Sequence, residues 1–238
     1  MKIPRIIDLT YPFDDRTIYW SQKEQFERTR LAFGRNEAGL WNANFRFAAG
    51  EHGGTHMDAP LHFAEAKRSI ADIPIGQHIG PGVKIRIADQ CARDRDYRLQ
   101  ASDLLSWEAV AGPIPKGAIV LIHTGWGRYW GDRAGYLGSA SAEDTAVFHF
   151  PGIGRDAAEM LSRGRQIAMV GIDTASLDHG PSSDFPAHQI LCAAEIPGVE
   201  NVANLEQLPE SGFLVLALPM KIAGGSGAPT RIVALFES

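Results

Sequence analysis

The sequence predicts an α/β domain built on a mixed β-sheet with flanking helices, and three observations predict it. Several short segments are rich in branched apolar residues and bounded by Gly, Pro or Asp, as strands of a covered sheet are. Segments with helical apolar spacing are fewer. The two kinds do not alternate regularly, and no G-x-G-x-x-G follows a strand, which separates the chain from a doubly wound dinucleotide-binding fold.

Strands are expected over residues 83–88, 118–123, 167–172, 213–218 and 232–236. Helices are expected over 102–110 and over 152–163, where Ile153, Ala157, Met160 and Leu161 share a face. The run Gly224-Gly225-Ser226-Gly227 lacks the Walker lysine and precedes a strand, so it is expected to be a glycine turn rather than a phosphate loop. The 238 residues, 45% of them hydrophobic, suffice for one sizeable core. No linker, low-complexity segment or internal repeat divides them, so one domain over 1–238 is expected.

Charge and composition exclude several function classes. With a net charge of −5 and scattered basic residues, the chain offers no footprint for a nucleic-acid backbone. The N-terminal segment reaches Asp8 before a long apolar run can form, and no stretch is long enough to cross a bilayer, so neither a signal peptide nor a membrane segment is expected. Cys91 and Cys192 lie far apart between hydrophobic neighbours, which suits small buried hydrophobes in a reduced, cytoplasmic protein. A serine hydrolase is excluded for want of a G-x-S-x-G elbow.

The chemistry is concentrated in Glu51-His52-Gly53-Gly54-Thr55-His56-Met57-Asp58-Ala59-Pro60-Leu61-His62-Phe63. Three of the chain's 8 histidines and an aspartate fall in this span. His52 and His56 have the spacing of a helical metalloprotease pair, but Gly53-Gly54 penalises a helix and Pro60 stops one. The segment therefore reads as a turn leading into extended chain. There His56 and Asp58 share a face while Met57 turns to the core, and the glycine pair lets His52 fold back. Two neutral imidazoles and a carboxylate suit zinc or manganese, and three protein ligands leave a position open for water. A lone histidine is usually a hydrogen-bonded core or surface residue; four ligand-type residues this close favour a shared cation. His62 is open to three roles: fourth ligand, structural hydrogen-bonder, or proton-transfer group.

This segment resembles the H-x-G-T-H-x-D-x-P-x-H signature of the cyclase-like metal-dependent hydrolases, a family that includes kynurenine formamidase (arylformamidase) and isatin hydrolase. Further similarity lies in Asp8-Leu9-Thr10, Thr17-Ile18-Tyr19-Trp20, Thr124-Gly125-Trp126, the stretch from Gly171 to Asp178, Asp184-Phe185-Pro186-Ala187-His188 and the stretch from Glu200 to Leu205. The resemblance implies a swivelling β/β/α fold with a barrel-like core and a site binding one or two divalent ions, Mn or Zn. His52, His56 and Asp58 would hold the first ion. Asp58 would bridge to a second, completed by His188 and Glu200. His62 would transfer the proton to the departing nitrogen, and Trp20 would stack on an aromatic substrate. A homodimer or homotetramer is also implied, with Trp41 and Phe45 as candidates for a subunit contact. Asp173, at the end of an apolar strand, is either a partner orienting a ligand histidine or a turn residue.

Two substrates fit these implications, and both are small aromatic amides. Thr17-Ile18-Tyr19-Trp20 departs from the formamidase-like Thr-Pro-x-Trp-Pro-Gly-Asp pattern, so opening of an isatin-like cyclic amide is favoured over hydrolysis of N-formylkynurenine in tryptophan catabolism. A non-catalytic metal-binding homologue is the reading from a different class. His62 argues against it, because a purely structural site closes its coordination and needs no free imidazole alongside.

Overall fold

The last strand of the chain pairs along both of its edges, and this closes the sheet into a ring. The computed structural model describes residues 4–140 and 147–237; residues 1–3 of the segment read as lacking a signal peptide lie outside the described residues. In chain order the strands are β1 (Arg5–Asp8), β2 (Glu27–Arg35), β3 (Trp41–Ala48), β4 (His56–Asp58), β5 (Ile79–Arg86) and β6 (Arg98–Leu99). They continue with β7 (Ile119–His123), β8 (Gly152–Ile153), β9 (Met169–Ile172), β10 (Gly198–Glu200), β11 (Phe213–Pro219) and β12 (Gly227–Phe236). The helices are α1 (Ala88–Arg93), α2 (Ala101–Ala111), α3 (Arg133–Leu137), α4 (Arg155–Glu159) and α5 (Pro186–Ala193).

The ring runs β12-β11-β5-β7-β9-β10-β4 and returns to β12. One edge of β12 carries β4 at its start and β1 at its end, and the other edge carries β11. β5, β7, β9 and β10 are mutually parallel and the remaining pairings are antiparallel, so the sheet is mixed, as expected. Closure leaves few free edges.

Alternation sorts each strand's side chains between two cores. Met57, Ile119, Leu121, Met169, Val199, Val215 and Ala228 belong to the cluster inside the ring. Val83, Ile85, Val120, Ile122, Val170 and Ile172 face outward, under Leu104 of α2, Ala157 of α4 and Leu191 of α5. With both faces covered, β7 is apolar from Ile119 to Ile122, which made it legible as a strand.

The observed elements depart from expectation at several points, and two of these departures have a local physical cause. β5 begins at Ile79 rather than at residue 83, because Gly80, Pro81 and Gly82 still pair with β11, and Ala88 already opens α1. The helix expected over 152–163 begins only at Arg155: Ile153 N–H bonds the Leu177 carbonyl and Gly154 N–H that of Leu99, which holds Gly152–Ile153 as a short strand against β6. Its second half, Met160–Arg165, is a wider π-helical turn. The hairpin β2–β3 and helix α5 were not expected at all. Cys91 and Cys192 are free and buried, in line with their reading as small hydrophobes. Among the described residues, no helix is long and apolar enough to cross a membrane.

Candidate metal centre

The site grows from β4, which lies between β10 and β12. Met57 points into the ring, so His56 and Asp58 occupy its outer face, as the alternation required. Asp58 is flanked by Gly198 on β10 and Gly227 on β12, so no neighbouring side chain crowds its carboxylate. A Cβ on Gly198 would lie 2.6 Å from Leu177, and one on Gly227 would lie 2.6 Å from the His52 ring. Gly54 turns the chain at φ +59°, a conformation that favours glycine. His52 thereby folds back, and its Nδ1 lies 2.7 Å from Asp58 Oδ1.

His56 Nε2 stands 3.3 Å from the same oxygen. Opposite His56 in the antiparallel register, Glu200 places Oε2 at 3.4 Å from His56 Nε2. Helix α5 delivers His188, whose Nε2 is 3.3 Å from Asp58 Oδ2 and 3.1 Å from Glu200 Oε1. His52, His56 and Asp58 each offer a ligand atom within 4.8 Å of the others, and so do Asp58, His62 and His188. The second cluster contains His62 where the family resemblance places Glu200; Glu200 Oε1 also accepts the Leu177 N–H at 2.8 Å.

Three imidazoles are held from behind by their other nitrogens. His52 Nε2 meets Ser226 Oγ at 2.8 Å, His56 Nδ1 meets the Gly54 carbonyl at 3.0 Å, and His188 Nδ1 meets Asp178 Oδ2 at 2.6 Å. Such outer contacts fix tautomer and ring orientation at metal sites. Asp178 also accepts the N–H groups of Ala187 and His188 at the start of α5. Asp173 instead receives the Thr124, Gly125 and Trp126 N–H groups and the Thr124 hydroxyl, so of its two expected roles it has the turn role. Sequence reasoning missed Asp178, Ser226 and Glu51. No local periodicity links them to the histidines they serve.

The residues fit a divalent cation. His56 Nε2 is fully buried and makes no hydrogen bond, a costly state that a coordinated ion removes. Atoms about 2 Å from one ion lie roughly 3 to 3.5 Å apart, close to the separations around Asp58. The protonation pattern agrees. Burial pushes His56 down, but Asp58 and Glu200 outweigh it and hold the imidazole at about 9. Burial pushes Asp58 up, yet His188, His52 and His56 hold it well below the usual carboxylate range. His188 is held well above the usual histidine range, against burial, by Asp178, Asp58 and Glu200. Glu200 is raised by burial and by the Asp58 carboxylate.

Over these groups opens a cavity of about 320 Å³ lined by Ile18, Trp20, Phe63, Phe185, His62 and the site histidines. Trp20 is half-buried and meets Phe148, Phe150 and Phe185 edge to face. Phe185 sits at φ 44° directly before Pro186, a strained backbone for a bulky residue, of the kind that gathers at binding sites. His62 stacks on His52 with ring centroids 3.8 Å apart. Burial lowers it to about 4, although the Asp58 carboxylate opposes the shift.

The cyclase family model, described as "Putative cyclase", matches residues 7–179. This chain belongs to the cyclase family. The matched span includes Trp20 and the whole segment from His52 to His62, while His188 and Glu200 lie beyond it. The isatin hydrolase of Roseibium aggregatum is 34% identical over 194 residues, covering 78% of this chain and 72% of that protein. The kynurenine formamidase of Paracidovorax citrulli is 30% identical over 191 residues, covering 78% of this chain and 76% of that one. Among solved structures, an isatin hydrolase bound to the product analogue thioisatinate superposes with a TM-score of 0.89 at 29% identity, covering 99% of this chain and 93% of that one. The likeness in fold therefore extends past the family match, to α5 and β10.

Proposed function

We propose that this chain is a metal-dependent hydrolase that opens the cyclic amide of isatin or a close aromatic relative. The observation that carries the reading is the convergence of three imidazoles and a buried carboxylate at the floor of an aromatic-walled cavity. His52, His56 and Asp58 would hold a first ion, Mn or Zn; His188 and Glu200 would complete the shell of a second, where there is one. When bound, a divalent cation supplies a water acidified from a pKa of about 15.7 to about 7 and polarises a carbonyl oxygen.

The chain's own residues supply the rest. Trp20, Phe63 and Phe185 enclose a flat ring and exclude water from its faces. With a pKa near 4, His62 is neutral at pH 7 and starts as an acceptor. It takes a proton from the attacking water as the C–O bond forms, and returns it to the amide nitrogen as the C–N bond breaks. The carboxylic acid so formed gives its remaining proton to solvent, so the products are a carboxylate, an arylamine and one released proton, and atoms and charge balance.

The isatin hydrolase similarity supports the cyclic substrate, and the formamidase similarity supports N-formylkynurenine as the second reading. Assaying one metal-loaded preparation with both compounds tests the assignment. Isatin is expected to turn over faster; turnover of N-formylkynurenine alone would move the chain to the second reading, and turnover of neither would favour a non-catalytic metal-binding homologue. A homodimer or homotetramer in the cytoplasm completes the proposal. It is supported by the apolar exposure of the β2–β3 hairpin and by two buried free thiols.

A further inference from the structure

We infer that Glu51 and Ser226 form a positioning pair that fixes which nitrogen of His52 faces the cation, and that the segment entering β12, Gly225 to Gly227, is the device that holds them there. Ring closure by β4 and β12 brings Ser226 beside His52 across 174 positions of sequence. Ser226 Oγ donates to Glu51 Oε2 at 2.7 Å, and the same oxygen receives the Ser226 N–H at 2.9 Å and the Gly227 N–H at 3.3 Å. A serine hydroxyl has one hydrogen, and here it is committed to an acceptor-only carboxylate. Towards His52 Nε2, 2.8 Å away, Oγ can therefore only accept. Nε2 carries the hydrogen, and the Nδ1 lone pair is turned towards Asp58 Oδ1.

The glycines make this approach possible. A Cβ on Gly227 would lie 2.6 Å from His52 Cε1 and 2.9 Å from Nδ1. The other two anchored histidines differ: His56 rests on its own turn's carbonyl and His188 directly on a carboxylate, and both are almost fully buried. His52 keeps 23% of its side chain exposed, more than either of the others, so packing restrains its ring less than theirs. His62 stacks on that ring, so the pair also sets the platform from which His62 works.

The inference rests on the metal reading of His52, and the experiment separates the two. Metal-stripped wild type, Ser226→Ala, Ser226→Thr, Glu51→Gln, the Glu51→Gln/Ser226→Ala double variant and His56→Ala are titrated with Mn(II). Histidine ¹⁵N shifts are read in the Zn-loaded wild type. Ser226→Ala and Glu51→Gln should weaken Mn(II) binding roughly 10- to 100-fold. The double variant should be no weaker than Ser226→Ala, Ser226→Thr should restore binding, and His52 should coordinate through Nδ1. Wild-type affinity in Ser226→Ala while His56→Ala loses the metal overturns the positioning pair but leaves the metal reading standing, as does multiplication of the two effects in the double variant or coordination through Nε2. Absence of Mn(II) binding in the wild type overturns both. If Glu51→Gln does not fold, the Ala and Thr variants at 226 decide alone.

Discussion

His62 differs from the other site histidines in that its ring nitrogens have no hydrogen-bond partner among the described residues, while burial keeps it neutral. A neutral, unanchored imidazole over the proposed metal ligands suits proton transfer. His62→Ala is expected to keep its metal and to lose ~100- to 10,000-fold in kcat, measured by steady-state kinetics beside elemental analysis; loss of the metal instead would make His62 a ligand, as the cluster with Asp58 and His188 allows. His56 behaves oppositely. Held at about 9 against a usual 6.5, it is charged in the metal-free protein at neutral pH. Its contribution to stability is present below 6.5 and lost as pH rises through 9. A cation must displace that proton, so Mn(II) affinity should climb by roughly tenfold per pH unit towards pH 9 and then level off. Calorimetric titration across pH 6.5–9 checks this, and a flat profile would mean that His56 binds no metal. The ligand types at 52, 56 and 58 were legible because chemistry and spacing fall in one short window. Asp178 was not, since nothing local ties it to His188, ten positions away.

At the scale of elements, the hairpin β2–β3 was not expected and carries its own prediction. A period-2 signal was present, with Trp41, Ala43, Phe45 and Phe47 alternating with Asn42, Asn44 and Arg46, yet neither strand has a buried face. Leu31, Phe33, Trp41 and Phe47 are all exposed, an apolar concentration unusual for an isolated ribbon. Trp41, named from sequence as a subunit-contact candidate, packs edge to face on Phe33, and Arg28 covers Phe45. If the ribbon serves assembly, Phe33→Ser/Trp41→Ser should shift the mass seen by light scattering to that of a monomer. Stability of the fold should change by no more than about 0.5 kcal/mol per site, as at ordinary surface positions. An unchanged mass would place the subunit contact elsewhere. Helix α5 escaped notice for a different reason: it spans eight residues and opens with Pro186, which resembles a breaker, although proline is favoured at a first helical position.

Over the whole molecule, the proposed metal centre ties together strands that meet only when the ring closes, along with the helix packed on their outer face. Chelation should therefore loosen the fold as well as stop turnover. At free metal 100-fold above Kd, binding adds about 2.7 kcal/mol, and removal should lower Tm by roughly 5 to 10 °C for a chain of this length. Differential scanning calorimetry with and without EDTA measures it, and an unchanged Tm would contradict occupancy of the site. What the sequence determined by itself was local: apolar runs such as 119–122 specify strands buried on both faces, and the glycine-hinged His52–Asp58 segment gathers metal-type donors in one place. What only tertiary structure decided was long-range. Seven strands close through a pairing of β12 with β4, and that closure sets Ser226 behind His52, Glu200 across from His56 and His188 above Asp58. Such partners are chosen by which surfaces bury together once the chain folds, and side-chain periodicity along a single strand carries no record of its neighbours.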